Sequence, residues 1–104
     1  MEKTYPFDRK TIDKLVTKNC PGVYIILKNG RAGWRVSFIR RAEKNVRRAI
    51  IAKCEKCKNR STMRFMFSYA ANAKSAFDLE CIFYYHVTCK LSYNGGIFYF
   101  HNNL

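Results

Sequence analysis

The sequence predicts an α+β fold, a small three-stranded antiparallel sheet flanked by helices. Runs of β-branched and aromatic residues alternate with stretches whose apolar residues recur at helical spacing. The chain has 104 residues, of which 48% are hydrophobic, which is enough for one core. We therefore expect a single domain over residues 1–104, with residues 1–20 as an N-terminal helical extension.

The first element is a helix. Asp8 is a suitable N-cap, and Ile12 and Val16 follow at helical spacing. We expect this helix to run to about Asn19, because Pro21 cannot continue it.

Three segments are typical of strands. The first runs from Gly22 to Lys28, the turn signal Asn29-Gly30 follows, and the second runs from about Trp34 to Ile39. The third is Met63–Tyr69, where large apolar side chains alternate. A short last strand at Ile97–Phe100 is a further expectation.

Two more helices complete the predicted order α-β-β-α-β-α. One begins near Glu43, and its apolar stripe consists of Val46, Ala49, Ile50, Cys54 and Cys57. The other runs from Ala73 to about Cys89 and is rich in apolar residues.

The net charge of the chain favours some functional classes over others. The chain has 20 Lys and Arg residues and 7 Asp and Glu residues, which gives a net charge of +13. Such a positive charge attracts polyanions. Nucleic acid is the favoured partner, and a charge that serves only solubility is the alternative. No apolar run approaches the roughly 20 residues that span a bilayer, and the N-terminus lacks the pattern of a secretory signal. We expect a soluble cytoplasmic protein without a membrane partner.

A group of basic residues recurs every three to four positions around the start of the second helix. Its members are Arg40, Arg41, Lys44, Arg47 and Arg48. We expect them to share one helix face and the loop before it, a surface suited to phosphate contacts. The alternative is an ordinary solvated face, although Glu43 alone offers few ion-pair partners.

Glu80 lies among apolar and aromatic residues of the last helix. A carboxylate in such surroundings is costly unless it is paired, hydrogen-bonded or bound to a metal. The alternative to a metal ligand is a residue at the edge of the core whose carboxylate either extends to water or pairs with an arginine.

These residues together resemble the GIY-YIG nuclease superfamily. Gly22-Val23-Tyr24 looks like its first signature, and Phe38-Ile39-Arg40 looks like its second, with Phe in place of the usual Tyr and Arg in place of the usual Gly. Arg48 is similarly placed to the family's helical arginine. The run around Glu80 resembles the helix that supplies the metal-binding glutamate, and Asn94 falls where the family often has an asparagine.

The resemblance implies metal-assisted hydrolysis of phosphodiester bonds, in DNA rather than RNA. Glu80 would hold one Mg²⁺ or Mn²⁺, and Arg48 would stabilise charge on the phosphoryl oxygens. Tyr24 would orient or deprotonate the attacking water, and Asn94 would support the site. Because of the changes at Phe38 and Arg40, a noncatalytic DNA- or RNA-binding domain and a basic protein-interaction module remain open as alternatives.

Two weaker patterns remain. Zinc ligands are offered by Cys54, Cys57, His86 and Cys89, in the pattern CxxC…HxxC. Cysteines on an apolar stripe behave as small core residues, so we favour buried thiols over structural zinc. The rings of Trp34, Phe38 and Tyr69, beside basic residues, are candidates for stacking on unpaired bases, although packing in the core is favoured.

Overall fold

A computed structural model describes residues 3–31 and 33–93, and describes side chains as far as His86. Four strands form one antiparallel sheet in the order β1-β4-β2-β3. The strands are β1 (Tyr5–Pro6), β2 (Gly22–Gly30), β3 (Gly33–Ala42) and β4 (Met63–Tyr69). The helices are α1 (Arg9–Leu15), α2 (Val46–Lys56) and α3 (Ala73–Tyr93), with one turn of 3₁₀-helix at Arg60–Thr62.

The predicted α+β class is confirmed, but the described sheet has four strands rather than three. The additional strand, β1, pairs Tyr5 with Phe65 and Pro6 with Arg64 at the edge of the sheet. Proline is tolerated there because an edge position does not require its missing amide hydrogen. The expected strand at Ile97–Phe100 lies outside the described residues.

The β2–β3 hairpin is longer than predicted. The two strands pair from Gly22 opposite Ala42 to Gly30 opposite Gly33, with a bulge beside Ile26 and Leu27. β3 therefore continues past Ile39, the expected end of the strand. This extension places Arg40 and Arg41 in a strand instead of a loop, whereas Lys44 lies between β3 and α2.

The sheet is covered on both sides. Side chains alternate along β2, so that Tyr24 and Ile26 join one buried cluster and Val23, Ile25 and Leu27 join another. The first cluster includes the buried residues of α1 and α2, and the second includes Phe83 of α3. The protein is thus a three-layer structure with α1 and α2 on one side of the sheet and α3 on the other.

The N-terminal residues belong to this core. Phe7, Ile12 and Val16 are buried in the cluster under α1 and α2. Asp8 caps α1 as predicted, accepting a hydrogen bond from the Thr11 amide at 2.7 Å. The helix ends at Leu15, earlier than expected.

The helix α2 begins at Val46, later than the expected start near Glu43, and ends at Lys56, so that Cys57 of the predicted stripe is its C-cap. Val46, Ile50 and Cys54 are buried, and Asn45 caps the helix by accepting a hydrogen bond from the Arg48 amide at 3.0 Å. Across the described residues, no helix has the length and apolarity to span a membrane. The cytoplasmic location stays a prediction.

Gly22 marks a close approach of three elements. A Cβ at this position would lie 2.5 Å from the Ser68 carbonyl oxygen of β4 and 3.0 Å from the Val46 Cβ of α2. We expect Gly22→Ala to lower the free energy of unfolding by about 1–3 kcal/mol, because strand and helix must separate to admit the methyl group. Urea denaturation measures the loss. Gly30→Ala is the control, since its Cβ would meet no atom closer than 3.6 Å, and an equal effect of the two changes would contradict this account.

Candidate functional site

Glu80 is held by a single residue of the edge strand β3. The Arg41 guanidinium donates from Nη1 to Glu80 Oε1 at 2.7 Å, and the Arg41 backbone amide donates to Oε2 at 3.0 Å. Both side chains are partly buried, with 34% of Arg41 and 21% of Glu80 exposed. The same guanidinium contacts Glu43 at 3.2 Å and lies 5.0 Å from the centre of the Phe77 ring. Hydrogen bonds to Glu80 and then to Glu43 raise the pKa of Arg41 above its ordinary value.

This arrangement bears on the Mg²⁺ or Mn²⁺ that the family resemblance implies. Both oxygens of Glu80 accept hydrogen bonds from Arg41, and the guanidinium stands where a cation would approach Oε1. Hard divalent cations need several oxygen ligands, and within residues 3–31 and 33–93 no three His, Cys, Asp or Glu side chains are grouped to bind one. As they are placed, these side chains do not fit a divalent cation unless Arg41 withdraws.

Tyr24 lies on the other side of the sheet, in the cluster under α2. Its ring meets Phe38 edge-on at a centroid distance of 6.0 Å. Burial raises the pKa of the Tyr24 phenol above its ordinary value of 10.0, the charge of Arg40 opposes the rise, and Cys57 adds to it. The phenol is therefore neutral near pH 7, a state suited to donating a hydrogen bond rather than abstracting a proton. Its hydroxyl forms no hydrogen bond with another described residue.

Two cations lie beside the same phenylalanine. Lys53 of α2 places Nζ 4.3 Å from the centre of the Phe38 ring, and Arg40 places Cζ 5.6 Å from it. Neither cation has an acidic partner in the described part of the chain, so neither charge is neutralised. Tyr24, Phe38, Arg40 and Lys53 form what we call the Phe38 cluster. It is a concentrated positive charge with a neutral phenol beneath it.

The expectation that five basic residues share one face is wrong. Arg40 and Arg41 are successive residues of β3, so one side chain joins the Phe38 cluster and the other contacts Glu80 across the sheet. Arg47 turns toward α1 and forms an ion pair with Asp13 at 2.9 Å. Lys44 and Arg48 are exposed.

The three described residues that the resemblance links, Tyr24, Arg48 and Glu80, do not meet in one pocket. Tyr24 packs under α2, and Glu80 is bound to Arg41 on the α3 side of the sheet. Arg48 is exposed on α2, on the same side as Tyr24, and its side chain forms no hydrogen bond or ion pair with either group. Asn94 lies outside the described residues. The roles assigned to these four residues stay predictions.

The zinc ligands are likewise divided between layers. Cys54 is fully buried under α2, where its Sγ lies 3.4 Å from Arg60 Nη1, and Cys57 is partly buried nearby. His86 is on α3, across the sheet, and the Cys89 side chain lies outside the described part. The first pair thus packs as core thiols, which is the interpretation that the apolar stripe favoured.

The structure shows a groove that sequence reasoning missed. It lies between β3 and α3 and has a volume of about 500 Å³. Its lining comprises Ile39, Arg40, Glu80, Cys81, Tyr84 and Tyr85. The two tyrosines are 65% and 67% exposed. The available signal was the number of aromatic residues on α3, which exceeds what one buried face of a helix can accommodate.

The three rings proposed for base stacking are engaged elsewhere. Arg64 lies over Trp34, at 5.9 Å from the ring centre. The Phe38 ring contacts the cations of Arg40 and Lys53. The Tyr69 hydroxyl accepts hydrogen bonds from the amides of Thr17 and Lys18, at 3.0 and 3.3 Å.

The two carboxylates that share Arg41 should differ in their effect on stability. We expect Glu80→Ala to lower the urea midpoint clearly, because it removes partners from both the guanidinium and the backbone amide of Arg41. Glu43→Ala is the matched control and should change the midpoint little, since the Glu43 side chain is 59% exposed. If neither substitution changes the urea midpoint, Glu80 does not stabilise the contact between β3 and α3.

Comparison with known proteins returned no match at any of three levels: protein-family models, curated proteins and solved structures.

Proposed function

We propose that this protein binds nucleic acid through the basic surface that contains the Phe38 cluster, and does so without Glu80-dependent cleavage. The observation that carries the proposal is the pair of unneutralised cations on Phe38, Arg40 at 5.6 Å and Lys53 at 4.3 Å from the ring centre. Cations held this way keep their charge available to an incoming anion, while the ring restricts their motion.

The positive surface continues along α2. Lys56 follows Lys53 by three residues and therefore lies on the same side of the helix. Both Lys56 and Arg48 are exposed, and neither forms an ion pair with a described residue. Lys53 and Lys56, one turn apart on one side of α2, suit the repeating charge of a phosphate backbone.

Tyr24 supports the same function. Its phenol is neutral near pH 7, burial raises its pKa further above 10.0, and it forms no hydrogen bond with another described residue. A hydroxyl next to a guanidinium is a suitable donor to a phosphate oxygen. In this proposal Tyr24 binds the backbone of the nucleic acid and takes no part in proton transfer.

Binding is favoured over hydrolysis because Glu80 is already engaged. The carboxylate that would hold a metal forms an ion pair at 2.7 Å with Arg41. In addition, Phe38 stands where the family has a second tyrosine, so that hydroxyl is missing. DNA, the substrate class that the resemblance implies, is the ligand we expect.

The first test is the salt dependence of DNA binding, measured by fluorescence anisotropy with a labelled oligonucleotide. We expect the variant Arg40→Gln/Lys53→Gln to bind at least about tenfold more weakly at low salt. The slope of log K against log salt should fall by about 1.4–1.8, because two phosphate contacts are lost. Glutamine retains much of each side-chain stem, so packing on Phe38 is largely preserved.

The matched control is Lys10→Gln/Lys14→Gln, which removes the same charge from exposed positions on α1. An equal loss of affinity and slope in both variants would show that net charge alone drives binding, contrary to the proposal. Absence of DNA binding at near-physiological salt, together with capture of an acidic protein, would favour the interaction module instead.

The second test addresses cleavage. Purified protein is incubated with plasmid DNA and Mg²⁺ or Mn²⁺. We expect the wild-type protein and Glu80→Gln to give the same background level of nicking, because Arg41 pairs with the wild-type carboxylate and prevents it from binding the metal. Agarose gel electrophoresis of the plasmid forms measures the outcome. Nicking by the wild-type protein that disappears in Glu80→Gln, while Glu43→Gln remains active, would establish the nuclease and overturn this part of the account.

A further inference from the structure

The groove between β3 and α3 presents aromatic surface next to the proposed phosphate-binding residues. Tyr84 and Tyr85 are 65% and 67% exposed on α3. Phe77, on the same helix, is 47% exposed. Tyr84 and Tyr85 line the groove and remain largely open to water, and exposed aromatic surface in a groove commonly marks a binding surface.

Arg40 belongs to both regions. It lines the groove together with Tyr84 and Tyr85, and its guanidinium also lies over Phe38 beside Lys53. The edge strand β3 is therefore bordered by cations on one side and by tyrosines on the other. A ligand that crosses this edge would meet positive charge and aromatic surface in succession.

The charge of the groove permits an anionic ligand. Among the described residues that line it, Glu80 is the acidic one, and Arg41 pairs with that carboxylate at 2.7 Å. The other described lining residues are neutral, apart from Arg40. The groove volume of about 500 Å³ falls within the range of about 300–1,000 Å³ typical of small-molecule sites.

We propose that the groove binds the unpaired bases of single-stranded nucleic acid, which stack on Tyr84 and Tyr85 while Arg40 and Lys53 contact the adjacent phosphates. This inference rests on the proposed nucleic-acid binding and specifies its ligand. Single-stranded ligands are selected because the faces of paired bases are hidden within a duplex, whereas unpaired bases stack on aromatic side chains without regard to sequence.

The experiment compares three labelled DNA ligands of equal length: an oligothymidine, an oligomer with the same backbone but no bases, and a duplex. Anisotropy titrations at fixed salt give the three affinities. We expect the wild-type protein to bind oligothymidine roughly tenfold or more tightly than the baseless oligomer, since one stacked base contributes about that factor. It should also bind oligothymidine more tightly than the duplex.

Tyr84→Leu/Tyr85→Leu should remove the preference for bases while leaving affinity for the baseless oligomer and the salt slope unchanged. Ile82→Ala is the control, because Ile82 is 51% exposed on α3 but does not line the groove. Arg40→Gln/Lys53→Gln should instead weaken binding to all three ligands.

Cys81 supplies a second measurement on the wild-type protein. Its thiol is exposed in the groove, so bound oligothymidine should slow its alkylation, followed by peptide mass spectrometry. Alkylation of Cys20, which is outside the groove, should not change.

Each outcome separates the two proposals. Equal affinity for oligothymidine and the baseless oligomer, with Cys81 unprotected, would overturn the groove proposal and leave nucleic-acid binding intact. Preference for the duplex would also overturn it. Failure to bind any of the three ligands would overturn the proposed function itself, and the inference with it.

Discussion

The contact of Arg41 with Glu80 connects the edge strand β3 to the helix α3. Two hydrogen bonds, at 2.7 and 3.0 Å, join one carboxylate to the side chain and backbone of one strand residue. Among the described residues, β3 pairs with one strand, β2, and lies at an edge of the sheet. The ion pair therefore positions this edge strand against α3, and with it the groove between them. It also uses the carboxylate that a metal-dependent nuclease would need.

The second constraint is the alternation of side chains along β3. Because the strand continues to Ala42, Arg40 and Arg41 point to opposite sides of the sheet. Arg41 neutralises Glu80, while Arg40 retains its charge beside Lys53 and at the rim of the groove. Two adjacent residues of the same type thus have different roles, one structural and one available to a ligand. The position of Arg40 beside Phe38 and the pairing of Arg41 with Glu80 both follow from the same strand geometry.

Much of the fold could be predicted from local sequence patterns. Met63–Tyr69 and the start of α3 at Ala73 agree with the structure, because alternation and helical spacing are strong there. β1 was missed, since two residues that include Pro6 carry no periodic signal. The end of β3 was misplaced because Arg40 and Arg41 are compatible with a strand or a loop, and pairing with β2 decides between them. Asp8 was predicted correctly because capping depends on local geometry.

The site was less accessible to sequence reasoning. Glu80 was recognised as a carboxylate in need of a partner, and an arginine partner was among the alternatives, but its identity depends on how α3 lies across β3. The groove depends on the same packing, so Tyr84 and Tyr85 could not be separated from core aromatics by spacing alone. Contacts between elements distant in sequence arise from tertiary structure, which periodicity does not encode.

The most direct measurement is a titration of ¹⁵N-labelled protein with Mn²⁺, following the paramagnetic broadening of each amide resonance. Glu55 provides an internal reference, because its carboxylate is exposed on α2. If the ion pair with Arg41 prevents the Glu80 carboxylate from binding Mn²⁺, broadening at the Glu80 and Arg41 amides should not exceed that at Glu55 at any Mn²⁺ concentration. Strong, selective broadening at Glu80 and Arg41 while Glu55 stays sharp would show that the carboxylate binds the metal, and would contradict the account.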